Sequence, residues 1–191
     1  MTVTPAQWTL DDYHRMIQVG LLDGRHVELL NGEIVEMPPE GPEHAYLGDE
    51  VGKYLDWLLG DRARVREGRP ITLPNRSEPE PDLAIVKLLG SVYRQRHPYA
   101  EDIFLPIEFS NTSLAQDVEV KRKIYASAEI EDYWVVNLKE RHLKVFREPK
   151  DGDYASESIL VTGEIRPLAF SDIAVSVRRL LGGVKFITSV Q

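Results

Sequence analysis

The sequence predicts an α/β (α+β) fold in which helices flank a mixed central β-sheet. A helical pattern near the start is followed by a run of strand-like segments, a second helical pattern and further strands. This order is typical of helices packed on a mixed sheet. The length of 191 residues and the hydrophobic content of 42% fit one compact core. We therefore predict a single domain over residues 1–191.

The chain begins with a predicted helix and a predicted hairpin. Apolar side chains recur at helical spacing over residues 7–19, and Thr9 or Asp11 suits the N-cap position. Two short apolar runs then flank Asn31-Gly32. This dipeptide favours the tight turn of a β-hairpin.

A second helix is predicted over residues 43–60, with Gly60 as its stop. Its buried side is predicted to consist of Tyr46, Val51, Tyr54, Leu55 and Leu58. Strands are predicted next at 63–67, 70–73, 82–87 and 103–109. The connection 88–102 is too long for a tight turn, which indicates a mobile or functional loop.

The sequence pattern of the rest of the chain predicts one more helix and three more strands. The expected elements are a helix over 114–129, a buried strand over 132–138, and a hairpin formed by 142–147 and 154–160.

Composition limits the kinds of site that the chain can form. Without cysteine there is neither a disulfide nor a thiolate zinc site, and the five histidines lack ligand spacing, so a metal would be held mainly by oxygen. The net charge of −8 opposes non-specific nucleic-acid binding over the whole surface. Local basic stretches nevertheless occur at 62–69, 93–97 and 121–123.

The sequence predicts a cytoplasmic protein with no membrane segment. It has no apolar run of about 18 residues, and its first residues lack the basic and apolar regions of a signal peptide.

The predicted strand 103–109 carries one carboxylate in an otherwise apolar run. Both strand faces are apolar until Glu108, as expected of a central strand. An unpaired ionised carboxylate there is costly or becomes protonated, so a cation, a metal ion or strong donors are expected nearby. The alternative is that Glu108 lies at an exposed strand end.

A second carboxylate opens the strand 82–87. Pro81-Asp82 on its own fits a turn that ends before a strand. If this strand runs antiparallel to the one ending at Glu108, however, Asp82 lies beside Glu108. The two carboxylates then form a hard-oxygen site suited to Mg²⁺ or Mn²⁺.

The predicted helix 114–129 places a lysine on its apolar side. At about 100° per residue, Lys121 lies near the middle of the apolar stripe, whereas Lys123 lies on the opposite face. The alternatives are that Lys121 extends to an edge or pairs with Asp117 one turn earlier. The stripe comprises Leu114, Asp117, Val118, Lys121, Ile124, Tyr125 and Ala128.

Asp82, Glu108 and Lys121 together form two metal ligands and one cation. This set suits phosphodiester hydrolysis: the carboxylates hold a metal ion that activates water, and the lysine orients the nucleophile or stabilises the transition state. The sequence therefore favours a Mg²⁺- or Mn²⁺-dependent endonuclease acting on DNA.

The order Pro-Asp, Glu, Lys resembles the PD-(D/E)XK nuclease superfamily, and the finer pattern is similar to its Uma-two family of restriction endonucleases. The Asp-x3-Lys-x3-Tyr run followed by "EDYWVVN" is distinctive in combination. The matching stretches cover most of the chain in order and lie at 27–44, 79–86, 107–113, 117–137 and 142–148.

The resemblance implies a restriction-endonuclease-like fold and a shifted lysine. In the wider superfamily the lysine stands two residues after the glutamate, a position held here by Ser110. The Uma-two family has serine there and recruits its lysine from the following helix, which matches Lys121. The resemblance also implies that Glu28 is a further acidic site residue and that His44 and Tyr125 lie near the site. The alternatives are a solvent-facing hairpin residue for Glu28 and an ordinary helix N-terminal residue for His44.

Two other functions are open from the sequence. One is a catalytically silent nuclease-fold module that binds nucleic acid or protein, which the acidic net charge favours. The other is metal-assisted hydrolysis of a small phosphorylated substrate, although no Gly-rich phosphate loop is present. We also predict a homo-oligomer, most simply a dimer, because cutting both strands of a duplex takes two active sites.

Overall fold

The computed structural model describes residues 6–111 and 115–183, and it begins with a capped helix and a hairpin. Thr9 caps α1 (Leu10–Gln18) and forms a reciprocal capping box with Asp12. The hairpin consists of β1 (Val27–Leu30) and β2 (Glu33–Glu36). Its turn residues Asn31 and Gly32 have φ values of 50° and 81°, as the predicted tight turn requires.

The helix α2 (Pro42–Leu59) ends at Gly60, as predicted. Val51, Tyr54 and Leu55 are buried and Leu58 is half-buried. The prediction for Tyr46 is wrong, because this side chain is 55% exposed. At about 100° per residue Tyr46 lies about 140° around the helix from Val51, so it faces solvent.

A six-stranded mixed sheet forms the centre of the fold and confirms the predicted fold class. Two adjacent central strands run parallel, and all other neighbouring pairs run antiparallel. In spatial order the strands are β3 (Arg64–Glu67), β4 (Leu83–Val86), β5 (Ile103–Ser110), β6 (Asp132–Asn137), β7 (His142–Lys150) and β8 (Asp153–Leu160). The parallel pair is β5 and β6.

Helical segments cover both faces of this sheet. One face packs against α2 and the C-terminal elements β9 (Glu164–Ile165), β10 (Val175–Ser176) and α4 (Val177–Leu180). The opposite face packs against α3 (Arg122–Ser127), which continues from a π-helical segment at Gln116–Lys121. This arrangement confirms most of the predicted helix 114–129, although Leu114 lies outside the described residues.

The segment 70–73 does not form the predicted strand. Its pairing is limited to isolated bridges from Thr72 to Tyr99 and from Leu73 to Ser77. Prolines at 70, 74, 79 and 81 remove backbone donors on both sides, so a continuous ladder cannot form.

The connection 88–102 contains two short 3₁₀-helices, Gly90–Arg94 and Ala100–Asp102. Asp102 is 3% exposed and accepts hydrogen bonds from the Arg96 guanidinium and the Tyr99 N–H. This buried carboxylate therefore holds the last part of the loop together just before β5. Within the described part of the chain, none of the helices combines the length and the apolarity that a membrane crossing requires.

Candidate active site

The antiparallel pairing of β4 and β5 brings Asp82 beside Glu108. Leu83 pairs with Ile107, so the residue before β4 lies next to the end of β5. The Asp82 N–H is 3.4 Å from Glu108 Oε2, and the Phe109 N–H donates to Asp82 Oδ2 at 2.6 Å. Glu108 is only 2% exposed, so the alternative of an exposed strand end is wrong.

Lys121 lies against these carboxylates from the opposite side. Its side chain is buried, and Nζ donates to Glu108 Oε1 and to Glu28 Oε1, both at 3.1 Å. It therefore does not extend to an edge. Lys123 is exposed, as the helical phase predicts. The lysine lies at the end of the π-helical segment, a local widening of the helix that is frequent at functional sites.

Glu28 reaches the site from the hairpin strand β1. It is 1% exposed, so the alternative of a solvent-facing residue is wrong. Its Oε1 also accepts a hydrogen bond of 2.8 Å from the Glu80 N–H. Its Oε2 is buried and has no hydrogen-bond partner among the residues that the structure describes. A buried carboxylate oxygen without a donor is rare, and it fits a cation at this position.

Hydroxyl groups position two of the carboxylates. The Tyr125 hydroxyl donates to Glu108 Oε1 at 2.9 Å. The Ser110 hydroxyl donates to Asp117 Oδ2 at 2.5 Å, and both of these residues are buried. Ser110 thus fixes the orientation of an acidic side chain beside the lysine.

His44 completes the contacts of Asp82. Its Nε2 lies 2.9 Å from Asp82 Oδ2, and its ring packs edge-on against Phe109. Burial on its own lowers the pKa of His44, but the hydrogen bond and charge of Asp82, with Glu40, outweigh burial and raise it. His44 therefore contacts Asp82 from the first turn of α2.

The site holds more negative than positive charge. Burial raises the pKa of Glu108 well above its ordinary value; Lys121 opposes this shift, and the neighbouring carboxylates add to it. Burial lowers the pKa of Lys121, but Glu108 and Glu28 outweigh it and the net pKa is raised. The ammonium group therefore stays charged. The carboxylates around it are those of Glu28, Asp82, Glu108 and Asp117.

These residues line a cleft of about 320 Å³ that opens to solvent. One cation among several carboxylates leaves room, in charge and in space, for a divalent metal ion. Oxygen donors of this kind suit Mg²⁺ or Mn²⁺. The orphan oxygen of Glu28 and the acidic donor set both fit such an ion.

The sequence patterns missed Glu40 and Glu80, which also line the cleft. Glu40 precedes His44 by four residues, and this carboxylate–imidazole spacing was the available signal. Glu80 contributes through its backbone N–H, which no side-chain pattern reveals.

The fold and the site together define a protein of the nuclease-fold class. The model of the Uma2 family, described as "Putative restriction endonuclease", matches residues 10–178. The chain belongs to this family. A comparison with curated protein sequences finds no match.

A solved structure supports the restriction-endonuclease-like fold. It is the crystal structure of "a putative nuclease belonging to DUF820" from Anabaena variabilis ATCC 29413. The two chains superpose with a TM-score of 0.68 at 14% sequence identity, over 94% of this chain and 99% of the other. At this identity the likeness concerns the fold.

Proposed function

We propose that the protein is a metal-dependent endonuclease that hydrolyses phosphodiester bonds of DNA in this cleft. The observation that carries the proposal is the position of Lys121, a buried ammonium group held between Glu108 and Glu28 and next to Asp82. A chain that used the fold only for binding would gain nothing from burying a lysine among carboxylates, since such an arrangement is costly. Membership of a family described as "Putative restriction endonuclease" supports the same function.

Asp82 and Glu108 are the proposed metal ligands, and the ion is Mg²⁺ or Mn²⁺. When bound, such an ion activates water and neutralises the charge that develops on the phosphate. Glu108 Oε1 is occupied by Lys121 and Tyr125, which leaves Oε2 on the side of Asp82 for the ion. Glu28 contributes its unpartnered oxygen to the same acidic wall.

Lys121 is the proposed catalytic cation. Its raised pKa keeps it protonated, so it offers a fixed positive charge to the phosphate or to the attacking water. Glu28 and Glu108 hold this charge in place, and the Tyr125 hydroxyl in turn holds Glu108. A group that is already oriented needs no rearrangement during the reaction, which is the physical basis of its catalytic effect.

A basic edge of the sheet offers a path for the DNA backbone. Arg66 on β3 lies opposite Ala84 on β4, and Ala84 follows Asp82 by two residues. The Arg66 guanidinium packs over the Tyr93 ring at 5.5 Å. Contacts between an arginine and the phosphates of DNA position a duplex without reading its sequence. The predicted dimer stays a prediction.

Metal-dependent cleavage tests the proposal. The intact protein should cut plasmid DNA in Mg²⁺ or Mn²⁺ and lose this activity in EDTA. The variant Asp82→Asn keeps an acceptor for the Phe109 N–H but removes the charge, so it should lose nearly all cleavage while it remains folded. Equal cleavage by both proteins would identify a contaminant, and DNA binding without cleavage would favour the catalytically silent module.

A further inference from the structure

The acidic cleft extends outward from Asp82 through a histidine and a second glutamate. One ligand atom from each of Glu40, His44 and Asp82 lies within 4.8 Å of the others. We propose that His44 and Glu40 complete the metal site with Asp82, which gives the site an imidazole ligand and a preference for first-row transition ions such as Mn²⁺ over Mg²⁺. The inference rests on the proposed function, because it concerns the metal ion of the same cleft.

The distance between His44 and Asp82 already suits two ligands of one ion. Two donor atoms at right angles, each about 2.1 Å from an ion, lie about 3.0 Å apart. His44 Nε2 and Asp82 Oδ2 are 2.9 Å apart. Because the Phe109 N–H and Phe109 ring hold these two side chains, they are in place before any ion arrives.

Glu40 supplies the adjustable part of the site. Its Oε2 lies 3.5 Å from His44 Nδ1, and its side chain is 49% exposed. An exposed carboxylate can rotate toward an ion without disturbing the core. Glu40 precedes α2 and His44 lies in its first turn, so the two ligands come from one short stretch of chain.

A buried atom of Glu28 points independently to a cation in this cleft. Glu28 Oε2 has no hydrogen-bond partner within the described ranges, although Glu28 is 1% exposed and lines the cleft with His44 and Asp82. A bound cation would satisfy the otherwise unpaired oxygen of this buried carboxylate. With Nε2 on the ion, His44 Nδ1 would carry the proton and face Glu40 Oε2, which lies 3.5 Å away.

The imidazole changes which ion the cleft favours. Oxygen ligands suit both Mg²⁺ and Mn²⁺, whereas an imidazole nitrogen suits transition ions better than Mg²⁺. His26 provides a matched control, because it lines the same cleft but lies 3.3 Å from Glu80.

Pulsed electron paramagnetic resonance of Mn²⁺ bound to the full chain tests this proposal, because a ligating nitrogen modulates the signal. The parent protein and His26→Gln should show nitrogen modulation. The variant His44→Gln should lose it and bind Mn²⁺ about tenfold more weakly or worse, with a smaller change for Mg²⁺.

The outcomes separate the inference from the proposed function. If Mn²⁺ binds the parent in a manner that Asp82→Asn abolishes, but without nitrogen modulation, the imidazole ligand is overturned and the metal-dependent function stands. Modulation that persists in His44→Gln overturns it too. If Mn²⁺ fails to bind the parent, both the inference and the proposed function are overturned.

Discussion

Lys121 Nζ lies 3.1 Å from Glu108 Oε1 at the base of the acidic cleft, and both side chains are almost completely buried. The pair joins the end of a central strand to the helix that follows it. Because Glu28 contacts the same ammonium at 3.1 Å, the lysine is held by two carboxylates and cannot move freely. The proposed chemistry depends on this fixed charge.

Glu28→Gln should reduce the single-turnover cleavage rate by about ten- to one-hundredfold, because it weakens the hold on Lys121 and removes charge from the metal wall. The amide oxygen can still accept from Lys121 and the Glu80 N–H, so folding should persist. Glu33→Gln changes an exposed residue of the same hairpin and should leave the rate unchanged. Unchanged cleavage by Glu28→Gln would remove Glu28 from the site.

Moving the lysine back to the strand should restore part of the activity. In Lys121→Ala, cleavage should fall, and adding Ser110→Lys places an ammonium on the same strand face as Glu108. The double variant should recover cleavage by about tenfold over Lys121→Ala, since the cation again lies beside the carboxylates. A double variant that is folded but no more active than Lys121→Ala would contradict the idea that the two positions serve one role.

Arg66→Ala should weaken DNA binding for all sequences alike. It should also make the fall of the logarithm of the binding constant with the logarithm of the salt concentration less steep by about one. The measurement is a binding titration at several salt concentrations in Ca²⁺ or without metal. Lys53→Ala, an exposed cation on α2 that pairs with Asp49, should leave the slope unchanged. Equal slopes for all three proteins would place the DNA elsewhere.

Asp102→Asn should lower stability at neutral pH and have a smaller effect in acid. Burial alone raises the pKa of Asp102, but hydrogen bonds from Arg96 and the Tyr99 N–H outweigh it and lower the pKa. The stabilisation is therefore present above the ordinary pKa of an aspartate and is lost as the pH falls through the lowered value. Urea unfolding at pH 7 should show a loss of about 1.5–3 kcal/mol, which narrows toward pH 3. The exposed neighbour Glu101→Gln is the control, and a loss that is the same at both pH values would argue against the charged contact.

Much of the fold could be predicted from local sequence patterns. Asn31-Gly32 and Gly60 act through their own backbone conformations, so the hairpin turn and the end of α2 follow from the sequence. The prediction of a strand at 70–73 was wrong. Its side chains favour a strand, but the neighbouring prolines lack the backbone N–H groups that a strand ladder needs. The predicted burial of Tyr46 was wrong because an error of one residue in helical phase moves a side chain from the buried face toward solvent.

The positions of site residues could be predicted where a strand register or a helical phase fixes them. The proximity of Asp82 and Glu108 follows from antiparallel pairing, and the burial of Lys121 follows from the apolar stripe. The contact between Glu28 and Lys121 joins residues 93 positions apart, so no local pattern reveals it. The roles of these residues in catalysis stay predictions.

In the proposed mechanism Lys121, rather than a neighbouring cation, carries the positive charge used in cleavage. The most direct measurement is the single-turnover rate of DNA cleavage at saturating Mg²⁺ by the parent, Lys121→Ala and Lys123→Ala. We expect a loss of about one hundred- to one thousandfold for Lys121→Ala and almost none for the exposed Lys123→Ala. Full activity of a folded Lys121→Ala, or the larger loss in Lys123→Ala, would contradict it.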